Sequence, residues 1–186
     1  MTTALMKLWM RLFGIKFGKG FKTKGWFFIM KNRGGLIKIG KQFRVHSSML
    51  SSLVGVYQRV VIVARRNGTI EIGDNVGITG GTIHGSDVKI GNNVMIGANT
   101  KIMDHDFHSL DYIERRTDAR EHAKSKPVRI GDDVFIGCNS IILKGTHIGN
   151  RCIVGAGSVV SGVFEDDCLI AGNPAKVVRR INQQTP

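Results

Sequence analysis

The chain has 186 residues, enough for one domain with a continuous core, and 27 Lys and Arg against 14 Asp and Glu give a net charge of +13, which attracts phosphates, nucleic acid or anionic lipid. No run approaches the roughly 20 apolar residues of a membrane span, and the nearest, Ala4 to Phe13, is interrupted by Lys7 and Arg11, which argues against a cleaved secretory signal. Cys138, Cys152 and Cys168 are widely spaced with no CxxC pair, so neither a disulfide framework nor a zinc site is expected, and the default setting is the reduced cytoplasm.

Residues 1–35 form the first expected unit. Leu5, Leu8, Trp9, Leu12 and Phe13 follow helical spacing with Lys7 and Arg11 off the stripe, predicting a short amphipathic helix. Two roles suit it: plugging the open end of the unit that follows, or lying on an anionic membrane with the help of Lys16, Lys19, Lys22, Lys24 and Lys31.

The second unit, residues 36–170, is governed by a repeat. Ile37/Ile39, Phe43/Val45, Val54/Val56 and Val60/Ile62 read as early coils with irregular corners. From Ile70 the spacing is cleaner: Ile70/Ile72, Val76/Ile78, Val88/Ile90, Val94/Ile96 and Thr100/Ile102. It becomes strict from Val128/Ile130 through Ser140/Ile142 to Ser158/Val160, an aliphatic every sixth residue with a small or apolar partner two places earlier. Residues two apart share a face of a strand, so this is a six-residue unit of strand and corner, the mark of a parallel β-helix. Gly131, Gly137, Gly149 and Gly155 follow the aliphatics, where a corner could use glycine's access to positive φ.

Two places break the pattern. At Thr82/His84, either Ile83 turns inward through a bulge and His84 points out, the simpler reading, or an imidazole sits at the edge of a site. Between Ile102 and Ile130 the phase is lost, so residues 103–127 must leave the coil as an inserted loop. That loop is polar and charged, holds His105 and His108, and is long enough to suggest function. The third unit, residues 171–186, offers a turn at Gly172 to Pro174 and then a short helix-like run with Lys176, Arg179 and Arg180.

The segments IGDDVFIG, IGNRCIVGAGSVV and IAGNPAKVVRR, preceded by HSLD, resemble the hexapeptide-repeat acyltransferases, within them the branch of maltose, galactoside and polysaccharide O-acetyltransferases. The resemblance spans about residues 70 to 181. It implies an all-β fold, a left-handed parallel β-helix, usually a homotrimer, with acetyl-CoA in the cleft between subunits. It also implies a histidine in the inserted loop as general base. The context His108-Ser109-Leu110-Asp111, with serine where the family has proline, selects His108, and His105 stands in reserve. The backbone of Gly155, Ala156, Gly157 and Ser158, with Gly137 one coil earlier, matches the stretch along the pantetheine arm, and Lys176, Arg179 and Arg180 match the basic tail that meets the nucleotide phosphates. A lysine frequent after that stretch is Gly162 here, and a frequent coil tryptophan is Phe135.

Acetyl transfer to a hydroxyl needs a base, donors for the developing oxyanion, and two substrates held in contact. Imidazole titrates near working pH, corner amides could supply donors, and alignment of two substrates can remove up to ~7–11 kcal/mol of barrier. No metal is expected. His84, Asp104, Asp106 and Asp111 are candidates for holding the acceptor, expected to be a sugar or glycan hydroxyl in cell-surface polysaccharide or lipopolysaccharide biosynthesis, in the cytoplasm or at the inner face of the membrane. Xenobiotic or amino-sugar N-acetylation are alternatives on the same fold. A metal site drawing on Asp104, His105, Asp106 and His108, with His84 and His122, is a weaker match because these histidines crowd one loop. A basic binding scaffold is the non-enzymatic alternative, but no nucleic-acid module is recognisable, so no nucleic-acid partner is expected.

Overall fold

A computed structural model describes residues 2–49, 54–117 and 122–181. Its body is a parallel β-helix whose strands stack on three faces. The first face holds β2 (Lys22–Lys24), β5 (Arg44–His46), β7 (Gly77–Thr79), β9 (Met95–Ile96), β12 (Phe135–Ile136), β15 (Ile153–Val154) and β18 (Cys168–Gly172). The second holds β3 (Phe28–Lys31), the front of β6 (Val61–Ile72), the front of β8 (Thr82–Ile90), β10 (Lys101–Met103), β13 (Ile141–Ile142) and β16 (Val159–Val160). The third holds β1 (Lys16–Phe17), β4 (Leu36–Ile39), the backs of β6 and β8, β11 (Val128–Ile130), β14 (His147–Ile148) and β17 (Val163–Phe164). The chain visits the faces in turn, so each circuit stacks in register on the previous one.

The expected inward pairs are buried: Val128 and Ile130, Val134 and Ile136, Ser140 and Ile142, Thr146 and Ile148, Cys152 and Val154, Ser158 and Val160. The buried hydroxyls are satisfied, Ser140 donating to Gly137 O and Thr146 to Leu143 O, as buried polar groups must be.

The corner glycines work differently from expectation. Gly131, Gly137, Gly149 and Gly155 do not adopt positive φ; that conformation falls two residues later, at Asp133, Asn139, Arg151 and Gly157. At Gly131, Gly137 and Gly149 what selects glycine is close stacking: a Cβ on Gly131 would lie 2.8 Å from Gly149 C, and one on Gly149 2.6 Å from Asp166 N. Beside Gly131 and Gly149, on the corner between the third and first faces, runs a ladder. The backbone N–H groups of Lys41, Asp74, Asn92, Asp132 and Asn150 donate to Oδ1 of Asp74, Asn92, Asp132, Asn150 and Asp166 respectively, at 2.6–2.9 Å.

The coil begins earlier than residue 36. β1, β2 and β3 already pair in parallel with β4, β5 and β6, around a core of Phe21, Phe27 and Phe43. Helix α1 (Thr2–Leu12) closes this end by burying Met6 and Met10 in the core and joining Thr3 Oγ1 to Thr23. The cap is thus observed, but the Leu5, Leu8, Trp9, Leu12 and Phe13 stripe faces outward. Val54/Val56 is not a coil pair: Val54 is exposed, and 47–60 is an excursion between β5 and β6, of which 50–53 lie outside the described residues.

At the far end, the turn at Asn173–Pro174, a cis peptide, leads not into a helix but into β19 (Ala175–Arg180), antiparallel to β18. β18 has an unpaired edge that an extended run rich in β-branched residues, here Val177 and Val178, can complete. Residues 118–121 of the inserted loop and 182–186 of the tail lie outside the described residues. Among the described residues no helix is long and apolar enough to cross a membrane.

Candidate active site

The inserted loop leaves the corner between the second and third faces after β10 and returns into β11, with one short helix, α2 (Tyr112–Thr117), among the described residues of its outer arm. Its base is pinned by antiparallel pairing: Asp106 N donates to Lys124 O, Lys126 N donates to Asp104 O, and His105 bridges Ser125. The two limbs of the loop are therefore tied to each other where they leave the coil.

Asp104 and His105 are both buried. Asp104 Oδ2 accepts the backbone N–H of Ser86 at 2.6 Å and of Asp87 at 2.5 Å, while Oδ1 lies 3.0 Å from His105 Nδ1. Gly85 leaves the space, since a Cβ there would come within 2.8 Å of the Asp104 carboxyl carbon. Burial pushes the Asp104 carboxyl up, but the hydrogen bonds from His105, Asp87 and Ser86 outweigh it and hold it below the ordinary carboxylate value. An ionised Asp104 makes Nδ1 the protonated nitrogen and leaves Nε2 as the acceptor.

Two rings cover His105. His84 lies 4.8 Å away and Phe107 4.3 Å, with Phe107 stacked on His84 at 5.2 Å. The His105 side chain is consequently only 1% exposed, whereas Phe107 is 46% exposed. The outward reading of His84 holds. Ile83 is inward, in register with Ile62 and Ile102, so His84 faces out of the core; it does so beside the loop histidine. Its Nδ1 is buried without a partner among the described residues, and burial, with His105 and Arg65 nearby, pulls its pKa below the ordinary imidazole value against the opposing pull of Asp104.

The other loop candidates stand apart from this pair. His108 is exposed on the outer arm. Asp111 caps α2, accepting the N–H groups of Ile113 and Glu114, and Asp106 pairs with Lys144 from the coil below. Phe107, Ser86, Gly85 and Lys144 were missed by sequence reasoning; only the proximity of HGSD to the broken hexad could have signalled the share of β8. Among the described residues no group of three or more His, Cys, Asp or Glu is gathered to hold a metal.

A signature described as the hexapeptide repeat of succinyl-transferase matches residues 87–102 and 127–161, on either side of the loop. A Mycobacterium tuberculosis protein named as an acetyltransferase is 31% identical over 152 residues, 78% of this chain and 50% of that protein. An Escherichia coli protein provisionally named lipopolysaccharide biosynthesis O-acetyl transferase WbbJ is 35% identical over 103 residues, 53% of each. A hexapeptide-repeat acetyltransferase from Vibrio cholerae, solved with acetyl coenzyme A, superposes with a TM-score of 0.60 at 28% identity, covering 96% of this chain and 76% of that one.

The chain carries the hexapeptide repeat and resembles the hexapeptide-repeat acetyltransferases. The β-helix is accordingly of the left-handed type. The chain spans about half the length of the curated relatives it matches. The stretch that the family resemblance assigns to the cofactor lies elsewhere than the buried histidine. Gly137 and Gly155 to Ser158 form the corner between the first and second faces, and the C-terminal hairpin joins them through Gly172 N donating to Ser158 Oγ at 3.2 Å. The Ser158 side chain is buried, so only backbone is offered there. Lys176 and Arg179 are exposed on β19, while Arg180 is tied to Glu165 and to Asp166 O. Within one chain the buried pair and this corner occupy different edges of the prism.

Proposed function

We propose that this chain transfers an acetyl group from acetyl-CoA to a hydroxyl of a sugar, in the making of cell-surface polysaccharide or lipopolysaccharide, with His105 as general base. The observation that carries the reading is the buried Asp104–His105 pair on a loop base locked to the coil, 3.0 Å between Oδ1 and Nδ1. Fixed tautomer and fixed orientation are what a general base needs. The acetyl-CoA complex of the Vibrio cholerae protein and the name of the Escherichia coli relative support donor and acceptor class.

In the proposed step the acceptor hydroxyl gives its proton to His105 Nε2 as its oxygen attacks the acetyl carbonyl carbon. The tetrahedral intermediate collapses, the carbon–sulfur bond breaks, and the departing thiolate takes the proton back from the imidazolium. Phe107 must swing aside for the acceptor to reach His105, and His84 then lines the opening with its unpartnered nitrogen. Because the pair and the glycine corner lie on different edges of one chain, the cofactor stretch at each site comes from a neighbouring copy, in a homotrimer. The setting is the cytoplasm, at the inner face of the membrane.

Thiol release from acetyl-CoA over a panel of sugars, nucleotide sugars, amino sugars and antibiotics tests the reading. With an active acceptor in hand, His105→Ala lowers turnover by roughly 10²–10⁴-fold, the scale of a positioned acid or base, and His108→Ala changes it only a few-fold. The reverse result would move the base to His108, and no thiol release with any acceptor would remove acetyl transfer.

A further inference from the structure

Helix α1 exposes its apolar residues. It is held to the β-helix by Met6 and Met10, while Leu5, Leu8, Trp9, Leu12 and Phe13 are exposed, Leu12 at 74% and Leu8 at 55%. Trp26 and Phe28, from the first coils, are exposed as well and meet Trp9 and Arg59 around a shared hollow, so the apolar surface continues from the helix onto the body. An exposed apolar patch of this extent marks an interaction surface.

The charge around it identifies the partner. Residues 1–70 contain 14 of the 27 Lys and Arg and none of the 14 Asp and Glu, so the rest of the chain is nearly neutral. Lys7 and Arg11 lie on the helix itself, Lys16, Lys22 and Lys24 are exposed on the adjoining strands, and Arg59 borders the hollow. Lys38 with Glu71 is the one pairing of a cation from this segment among the ion pairs of the described residues. Apolar and aromatic side chains rimmed by unneutralised cations match the two layers of an anionic bilayer surface, acyl boundary and headgroups. A second copy of the chain would bring the same cations together and be repelled.

We infer that α1, with Trp26 and Phe28, is a peripheral docking surface for a membrane rich in anionic lipid, on which the β-helix stands by its N-terminal end. The inference is independent of acetyl transfer. If both hold, the acceptor is presented at the bilayer.

The test is sedimentation of the full chain with vesicles of phosphatidylcholine alone or with phosphatidylglycerol, at low and high salt. Leu8→Glu/Leu12→Glu is the variant, since both side chains are exposed and the cap contacts of Met6 and Met10 are untouched. Expected are binding to the anionic vesicles only, weakening as salt rises, and a loss of about tenfold or more in the variant, with unchanged melting temperature and unchanged acetyl-CoA turnover on a soluble acceptor. Equal binding to neutral vesicles, undiminished binding by the variant, or a change in oligomeric mass in place of lost vesicle binding would each overturn it.

Discussion

The two ends of the β-helix solve one packing problem with different materials. Between Val128 and Val160 every circuit is built from two- or three-residue strands, the interior is filled by Val, Ile, Ser, Thr and Cys, and corners repeat at six-residue steps. Between Ile15 and His46 the strands vary from two to four residues, and the interior is filled by Phe21, Phe27 and Phe43, with ring centroids 6.1–6.2 Å apart. Small uniform rungs tolerate only one corner geometry; a few large rings fill a coil whose corners differ. The comparison teaches that the strict period is a property of the filling, while the stacking of one circuit on the next is the property of the fold.

Removing a large ring should hurt most. Phe43→Ala is expected to cost about 3–5 kcal/mol, read by chemical denaturation, and the whole chain should still unfold in one transition, because Phe43 and the C-terminal rungs belong to one continuous core. A separate early transition would show instead that the aromatic end is an independent unit. Next comes the regular end: Gly149→Ala forces a Cβ against the backbone of Glu165 and Asp166, and overpacking of this kind costs about 1–3 kcal/mol. A neutral outcome would mean that neighbouring C-terminal circuits can part enough to admit a methyl group without cost. Asp132→Ala removes one acceptor from the corner ladder and should lower stability by about 0.5–1.5 kcal/mol, less than either change in the core.

The smallest effect concerns pH, in the loop between the two regions. Burial holds the His84 pKa below its unfolded value, so the folded state binds fewer protons than the unfolded one in the window between the two values. Stability contributed by neutral His84 is present above the ordinary imidazole pKa and is lost as pH falls from there toward the folded value. His84→Phe should flatten the slope of melting temperature between neutral and mildly acidic pH. Asp104 acts at lower pH. Its depressed pKa contributes stability above the ordinary carboxylate range that fades as pH falls through the folded value, and Asp104→Asn should differ from the native chain least in strong acid.

What was legible in the sequence follows the same division. The rungs from Ile70 to Val160 could be read because each repeats its neighbour, and the loop could be placed because it breaks that phase. The coils before Ile37 could not, since their corners have unequal lengths and their apolar residues look like any others. The corner glycines were visible but their reason was not: positive φ and close stacking both select glycine, and only Asp133, Asn139 and Arg151 two places on reveal where the left-handed residue sits. The helical stripe of α1 was read correctly as apolar, with its direction left open between the end of the coil and a membrane, because periodicity defines a face without saying what it meets. In the loop, likeness to a motif favoured His108, whereas the adjacency of Asp104 and His105, visible in the sequence, carries the buried pair.

The ladder of corner Asp and Asn side chains has an architectural consequence. Both excursions of the chain, 47–60 and 104–127, depart from the two edges that lack it. An edge in which each circuit from Asp74 onward plugs a side chain into its neighbour's backbone cannot be spread by an insert without unplugging two circuits, so that edge serves as a spine. New loops grafted onto this scaffold should be tolerated on the other two edges, and lengthening along the spine should succeed only by whole circuits.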